Sequence, residues 1–368
     1  MPSTSPPARA SGWPGVRLHV VTGKGGTGKT TVAAALALAL AGRGARVLLA
    51  EVEDRQGISQ AFDVPPLPPT EVPIVSYDHG GQVVGLAVDA KAALLEYLQL
   101  FYRLGRAGGV LERFGAIDFA TTIAPGVRDV LLIGRVYEAS RRRVDAKHHR
   151  HSDTSPLAYD AIVLDAPPTG RIGRFLTVGS EVAGLARMGP IRAQGDSVNE
   201  LLTSPATRIH VVTLLEEMPV QETIDAVAEL RGLGMAMGAI VVNQARLADG
   251  EDFPNASARA WAGAGAVADL TDWVDTLTAD LPTVGIEPKP ALVTGLVEQV
   301  RDHAAREDLE RTHLDALQQL ELPIVSVPAL LDGIDPDALR EIAGLLTDQG
   351  MAGRMTARAT GRGTGGSR

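Results

Sequence analysis

A chain of 368 residues with a formal net charge of -9 and 45% hydrophobic residues has room for one large α/β domain or two smaller ones, with ample material for a core. The acidic balance argues against a general nucleic-acid binder, which needs a basic face to neutralise phosphates, so no nucleic-acid partner is expected. The absence of cysteine excludes disulfides, iron–sulfur clusters and thiolate sites for zinc or a metalloid.

Residues 1–15 carry proline, serine and glycine without an apolar core, and are expected to form a disordered leader, not a signal peptide. Val16 to Thr22 then reads as a buried strand, Gly23-Lys24-Gly25-Gly26-Thr27-Gly28-Lys29-Thr30 fits the phosphate-loop template, and Thr31 continues into an apolar helix. That order of strand, glycine loop and helix is what phosphate binding requires. Glycines let successive backbone N–H groups turn inward, and the helix N-terminus adds a favourable dipole. Lys29 reaches the terminal phosphates, and the Thr30 hydroxyl can ligate magnesium. A nucleoside triphosphate held by Gly23 to Thr31 is the implied ligand. The apolar run up to Ala41 is too short to span a bilayer, which makes a cytoplasmic location the default expectation.

Gly42 and Gly44 end this helix, and Ala45 to Ala50 forms a second apolar strand running into Glu51-Val52-Glu53-Asp54. Acidic residues just past a strand's carboxyl end lie beside the phosphate loop in a parallel sheet, where they orient water or hold magnesium; the alternative is a solvated acidic turn. The proline-rich stretch 63–78 reads as a loop, Val83 to Val88 as a strand, and Ala90 to Arg106 as a helix whose leucines are core. Helix continues over 107–146 with breaks at Gly108-Gly109 and Pro125-Gly126. The Arg/His run from Arg141 to His151 reads as a solvated loop, since its histidine spacing fits no common metal site and no cysteine assists.

Tyr159 to Asp165 is an apolar strand ending in an aspartate. Placed beside Thr30, that carboxylate would hold magnesium directly or through water, and Ala166-Pro167-Pro168-Thr169-Gly170 forms a turn able to sense the terminal phosphate. The second half alternates: strand at Arg208 to Leu214, helix at Pro219 to Leu233, strand at Ala239 to Asn243, and mostly helix over 255–320. A last helix, Leu339 to Leu346, follows the start signal Asp335-Pro336-Asp337, and 350–368 is a Gly/Arg/Thr tail expected to be disordered. The expected fold is α/β: a doubly wound, mainly parallel sheet of the P-loop NTPase type over 16–349, with helical elaborations at about 90–155, 170–205 and 255–320.

Four ordered motifs between Val16 and Leu346 carry a family resemblance. Lys24 stands inside the phosphate loop, and Val47 to Phe62 ends in Ser59-Gln60-Ala61-Phe62. Asp165-Ala166-Pro167-Pro168-Thr169-Gly170 is followed by Arg174-Phe175-Leu176, and Ile240 to Gln244 ends in Asn-Gln. Leu322 to Leu330 adds a stretch similar to a loop that closes over a nucleotide base. Together they resemble the arsenite-pump and tail-anchored-protein targeting ATPases, a family with a deviant phosphate loop. The resemblance implies ATP and Mg2+ as cofactors, with Thr30 and Asp165 on the metal and Asn243 and Pro328 at adenine. It also implies a dimer, with itself or with a paralogue, in which Lys24 contacts the partner's nucleotide.

Two departures follow from the same comparison. The family's water-positioning aspartate aligns with Glu53, and the extra methylene moves the carboxylate by about an ångström, enough to cost about a hundredfold in rate. The family's metalloid and zinc cysteines are missing, and Met188 is the single methionine between Gly170 and Val211, so neither a metalloid cargo nor a tail-anchored client is expected. The expected function is a magnesium-dependent dimeric ATPase switch coupled to an unidentified client or transport partner. Two other classes stay open: a non-hydrolysing ATP-bound subunit that regulates a paralogue, and a partition-type ATPase.

Overall fold

The computed structural model describes residues 13–52, 56–90, 92–93, 125–144, 155–185, 190–246, 270–330 and 333–353. Among them are β1 (Leu18–Gly23), β2 (Arg46–Glu51), β3 (Val72–Ser76), β4 (Gln82–Ala87), β5 (Ala161–Asp165), β6 (Thr207–Thr213), β7 (Met237–Ala245) and β8 (Ile324–Pro328). They form one eight-stranded sheet in the order β3-β4-β2-β5-β1-β6-β7-β8. Every pairing is parallel except that of β3 with β4. Helices cover both faces, which is why every residue of β1 and β5 is buried and neither strand alternates between buried and exposed positions.

One face carries α1 (Lys29–Ala41), α2 (Gly57–Ala61) and α9 (Pro336–Asp348). The other carries α3 (Pro125–Arg141), α4 (Thr169–Leu185), α5 (Pro190–Thr203) and part of α6 (Glu217–Gly232). α1 has no polar stripe because the sheet, α2 and α9 surround it, and Val32 to Ala41 are all buried. α9 is amphipathic and starts conventionally: the Asp335 carboxylate accepts the N–H groups of Asp337 at 3.0 Å and Ala338 at 2.8 Å, with Pro336 in the first turn. The described part of 255–320 is helical as expected: α7 (Leu270–Asp280), a 3₁₀ turn (Leu281–Val284) and α8 (Pro290–Gln318).

Both sheet edges correct the sequence reading. The stretch 63–78, expected as a loop, contains β3, which tolerates Pro73 because it pairs on one side only and shifts register between Pro73 and Val75. Leu322 to Leu330, expected as a closing loop, contains β8, whose β-branched Ile324, Val325 and Val327 favour the pleat. Gln349, just past α9, seals that edge at Ser326: its side-chain oxygen accepts the Ser326 N–H at 2.8 Å and its amide donates to the Ser326 carbonyl at 2.7 Å.

A buried histidine pair lies on the α1 face between β1 and β6. His210 Nδ1 accepts the Ala239 N–H at 3.1 Å, which places its proton on Nε2, pointed at His19 Nδ1 3.1 Å away. The rings stack with centroids 5.3 Å apart, and Trp13 closes over His210 edge-on. Burial, with Arg208 adding in the same direction, lowers the His19 pKa to about 4, and the His210 pKa falls well below its ordinary value for the same reason.

The leader to residue 12, most of 91–124, the Arg/His run from residue 145 on, residues 247–269 and the tail from 354 lie outside the described residues, whereas at the start of that run Arg141 ends α3 and Arg142 is ion-paired with Glu71, not in a solvated loop. No helix among the described residues is long and apolar enough to cross a membrane.

Candidate functional site

At the carboxyl edge of the sheet, β1 ends at Gly23 and α1 starts at Lys29. Between them Gly23, Gly26 and Gly28 take φ of 154°, 89° and 88°, a region that L side chains rarely adopt. Space forbids a side chain as firmly. A Cβ at Gly23 would lie 2.1 Å from the Val212 carbonyl of β6, and one at Gly28 would lie 2.2 Å from Asn243 Nδ2. The loop is also tied to itself, since Thr27 Oγ1 and Lys29 Nζ donate to the Lys24 carbonyl at 2.9 and 3.4 Å. No side chain caps α1, in contrast with α9. Its first-turn N–H groups, Thr30 and Thr31 included, therefore face the edge where an anion would sit.

Parallel pairing of β1 with β5 sets Val21 beside Asp165, whose side chain reaches the start of α1. Thr30 Oγ1 donates to Asp165 Oδ2 at 2.5 Å, and Asp165 is 7% exposed. A hydroxyl and a carboxylate converging at a phosphate loop are hard oxygen donors, the kind magnesium takes. The next turn is fixed to β1 by a 2.7 Å bond from Thr22 Oγ1 to the Pro167 carbonyl. The acidic stretch after β2 divides in use. Glu51 accepts the N–H groups of Gly57 and Ile58 at 3.0 and 3.3 Å, which makes it the anchor of α2 against Thr30, while Glu53 lies outside the described residues.

Asn243, near the end of β7, is buried against the loop and donates through Nδ2 to the Thr27 carbonyl at 2.9 Å. Pro328 ends the neighbouring β8 and pairs with Ala245, so the two residues expected at the base occupy adjacent strand ends on one edge. Lys24 is turned toward α6: its Nζ is 3.0 Å from Glu222 Oε1, and Glu222 Oε2 accepts the Thr169 hydroxyl at 3.0 Å. The Lys24 ammonium is the main cause that holds the Glu222 carboxyl below its usual range, working against burial and assisted by Thr169. Sequence reading missed Glu222. The available signal is its place near the start of the helix that follows β6, since such a helix begins at the same edge as the loop.

The family model for anion-transporting ATPases matches residues 16–194, the stretch that holds the loop, Asp165 and Thr169. ATPase BagA of Mycobacterium tuberculosis is 47% identical over 354 residues, covering 95% of this chain and 99% of that protein. A putative arsenical pump-driving ATPase of Aquifex aeolicus is 25% identical over 44% of this chain and 38% of its own length. An ATPase ASNA1 homolog of Entamoeba dispar is 24% identical over 61% of this chain and 75% of its own length. With a relative this similar along nearly its whole length and this loop at its centre, the chain belongs to the anion-transporting ATPase family, the group of the arsenite-pump and tail-anchored-protein targeting ATPases.

Proposed function

We propose that this member is a magnesium-dependent ATPase switch that works in the cytoplasm and closes as a dimer, with itself or with a paralogue, to drive a client protein or membrane partner. The observation that carries this reading is the 2.5 Å contact between Thr30 and Asp165 at the mouth of the glycine loop. Its two oxygens fit magnesium, which would neutralise charge on the β- and γ-phosphates when bound.

The chain's own residues do the rest. Backbone N–H groups from Gly25 to Thr31 hold the phosphates and Lys29 stabilises charge on the terminal one. Asn243, with one amide hydrogen on Thr27, offers its second N–H to N7 of adenine and its carbonyl oxygen to the N6 amine, while guanine offers an acceptor at both positions. Pro328 borders the base. Glu53 orients the attacking water, and its length makes turnover slow. Lys24 serves the nucleotide of the second subunit. The chain itself offers no thiolate to a metalloid.

Displacement titrations test the base site: ATP should outcompete GTP, and equal affinities would remove Asn243 from it. Turnover against magnesium concentration tests the metal site. Asp165→Asn should shift the magnesium requirement upward, and an unchanged curve would remove Asp165 from it.

A further inference from the structure

Glu222 is one carboxylate between two parts of the site, the glycine loop and the turn after β5. One oxygen holds the Lys24 ammonium, and the other holds the hydroxyl of Thr169, the residue that opens α4 just after the turn following Asp165. Both bonds lie within a single protomer. The side chains of Lys24 and Glu222 are 30% and 35% exposed, so the pair is open to competition by another anion, whereas Thr169 is 4% exposed. The Lys24 backbone is held in place by Thr27 and Lys29, which leaves the long side chain as the part able to swing.

We propose that Glu222 is a latch: in the free protomer it retains Lys24 and ties it to the Thr169 turn, so that Lys24 reaches a second subunit's triphosphate only after leaving this carboxylate. The proposal rests on the dimer reading above and adds the contact that opposes closure. An ammonium that swings out to phosphates on another subunit gives up its close contact with the carboxylate on its own α6. The more highly charged triphosphate wins when two loops approach with ATP in place, and after product release the carboxylate recaptures the lysine. Release also leaves Thr169 as the remaining partner of Glu222, which links the position of Lys24 to the turn that follows the magnesium aspartate. Glu222 acts through Lys24 and is a positioning residue.

Full-length protein with magnesium and a non-hydrolysable ATP analogue, followed by sedimentation velocity across protein concentration, tests this. Glu222→Gln, which keeps the shape and an acceptor for Thr169, should lower the concentration for half-dimerisation roughly three- to tenfold, because two partly exposed ion pairs no longer oppose closure. Lys24→Ala should weaken the dimer, and Glu222→Gln should have no further effect in that background, an interaction that a general loosening of the fold would not produce. Equal midpoints for wild type and Glu222→Gln would overturn the latch and leave the dimer standing. So would an equal shift with and without Lys24. A wild type that stays monomeric would overturn the dimer reading and the latch with it.

Discussion

Two pairs of polar groups flank β1 and behave oppositely. Thr30 and Asp165 meet at the carboxyl edge, beside an uncapped helix start and a loop of backbone donors. His19 and His210 meet on the α1 face, closed over by Trp13 and completed by a backbone N–H. The histidine pair is closed within the fold and burial favours its neutral form, whereas the edge pair lies next to backbone donors that suit an anion. The comparison separates polar residues that serve the fold from those that await a ligand, and it can be broken at either end.

The largest effect is expected at the edge. Lys29→Ala should reduce turnover about a hundred- to thousandfold with the unfolding midpoint nearly unchanged; parallel ATPase and denaturation measurements check both. A comparable loss of stability would mean that Lys29 belongs with the groups that serve the fold.

Acid should act on the histidines. The unfolded chain takes protons on these rings as pH falls below 6.5, while the folded His19 does not until about pH 4. Stability is therefore complete above 6.5 and declines between 6.5 and 4, by about 3 kcal/mol for His19 alone. His210 is lowered in the same direction and adds to the loss. Urea unfolding at stepped pH should show this slope, and a His19→Gln, His210→Gln variant should flatten it. A wild-type curve as flat as the variant's would refute the neutral pair.

Gly28→Ala joins the two behaviours, because it forces a side chain into φ 88° and against Asn243. It should cost about 2 kcal/mol of stability and also narrow the preference of ATP over GTP in a displacement titration. The smallest effect belongs to α9, where Asp335→Ala should cost about 1 kcal/mol and leave turnover unchanged.

What could be read from the chain follows the same division. β1, β5 and β6 were legible because strands buried on both faces are rich in β-branched apolar residues, and the glycine loop was legible because its backbone tolerates so few residues. β3 and β8 were not, since edge strands carry prolines and polar residues that imitate loops. Asp165 was legible from its strand end. That Glu51, in the acidic stretch after β2, accepts the first N–H groups of α2 is something only the geometry of β2 against α2 could reveal. Glu222 and the histidine pair share a reason for escaping notice: each meets a partner far away in the chain, across β1 and β6 or at the edge they share.

The Gln349 amide at β8 has a consequence for how copies of this protein can meet. A strand joining there would need the outward N–H and C=O of Ser326, which are taken, and at the next outward position Pro328 has no N–H to give. The sheet is thus terminated on that side by a side chain that imitates a ninth strand for one residue. Growth by adding a strand is thereby hindered at Ser326 and Pro328. A two-fold pairing of copies, the closure proposed above, would then have to use surfaces other than this stretch of strand edge.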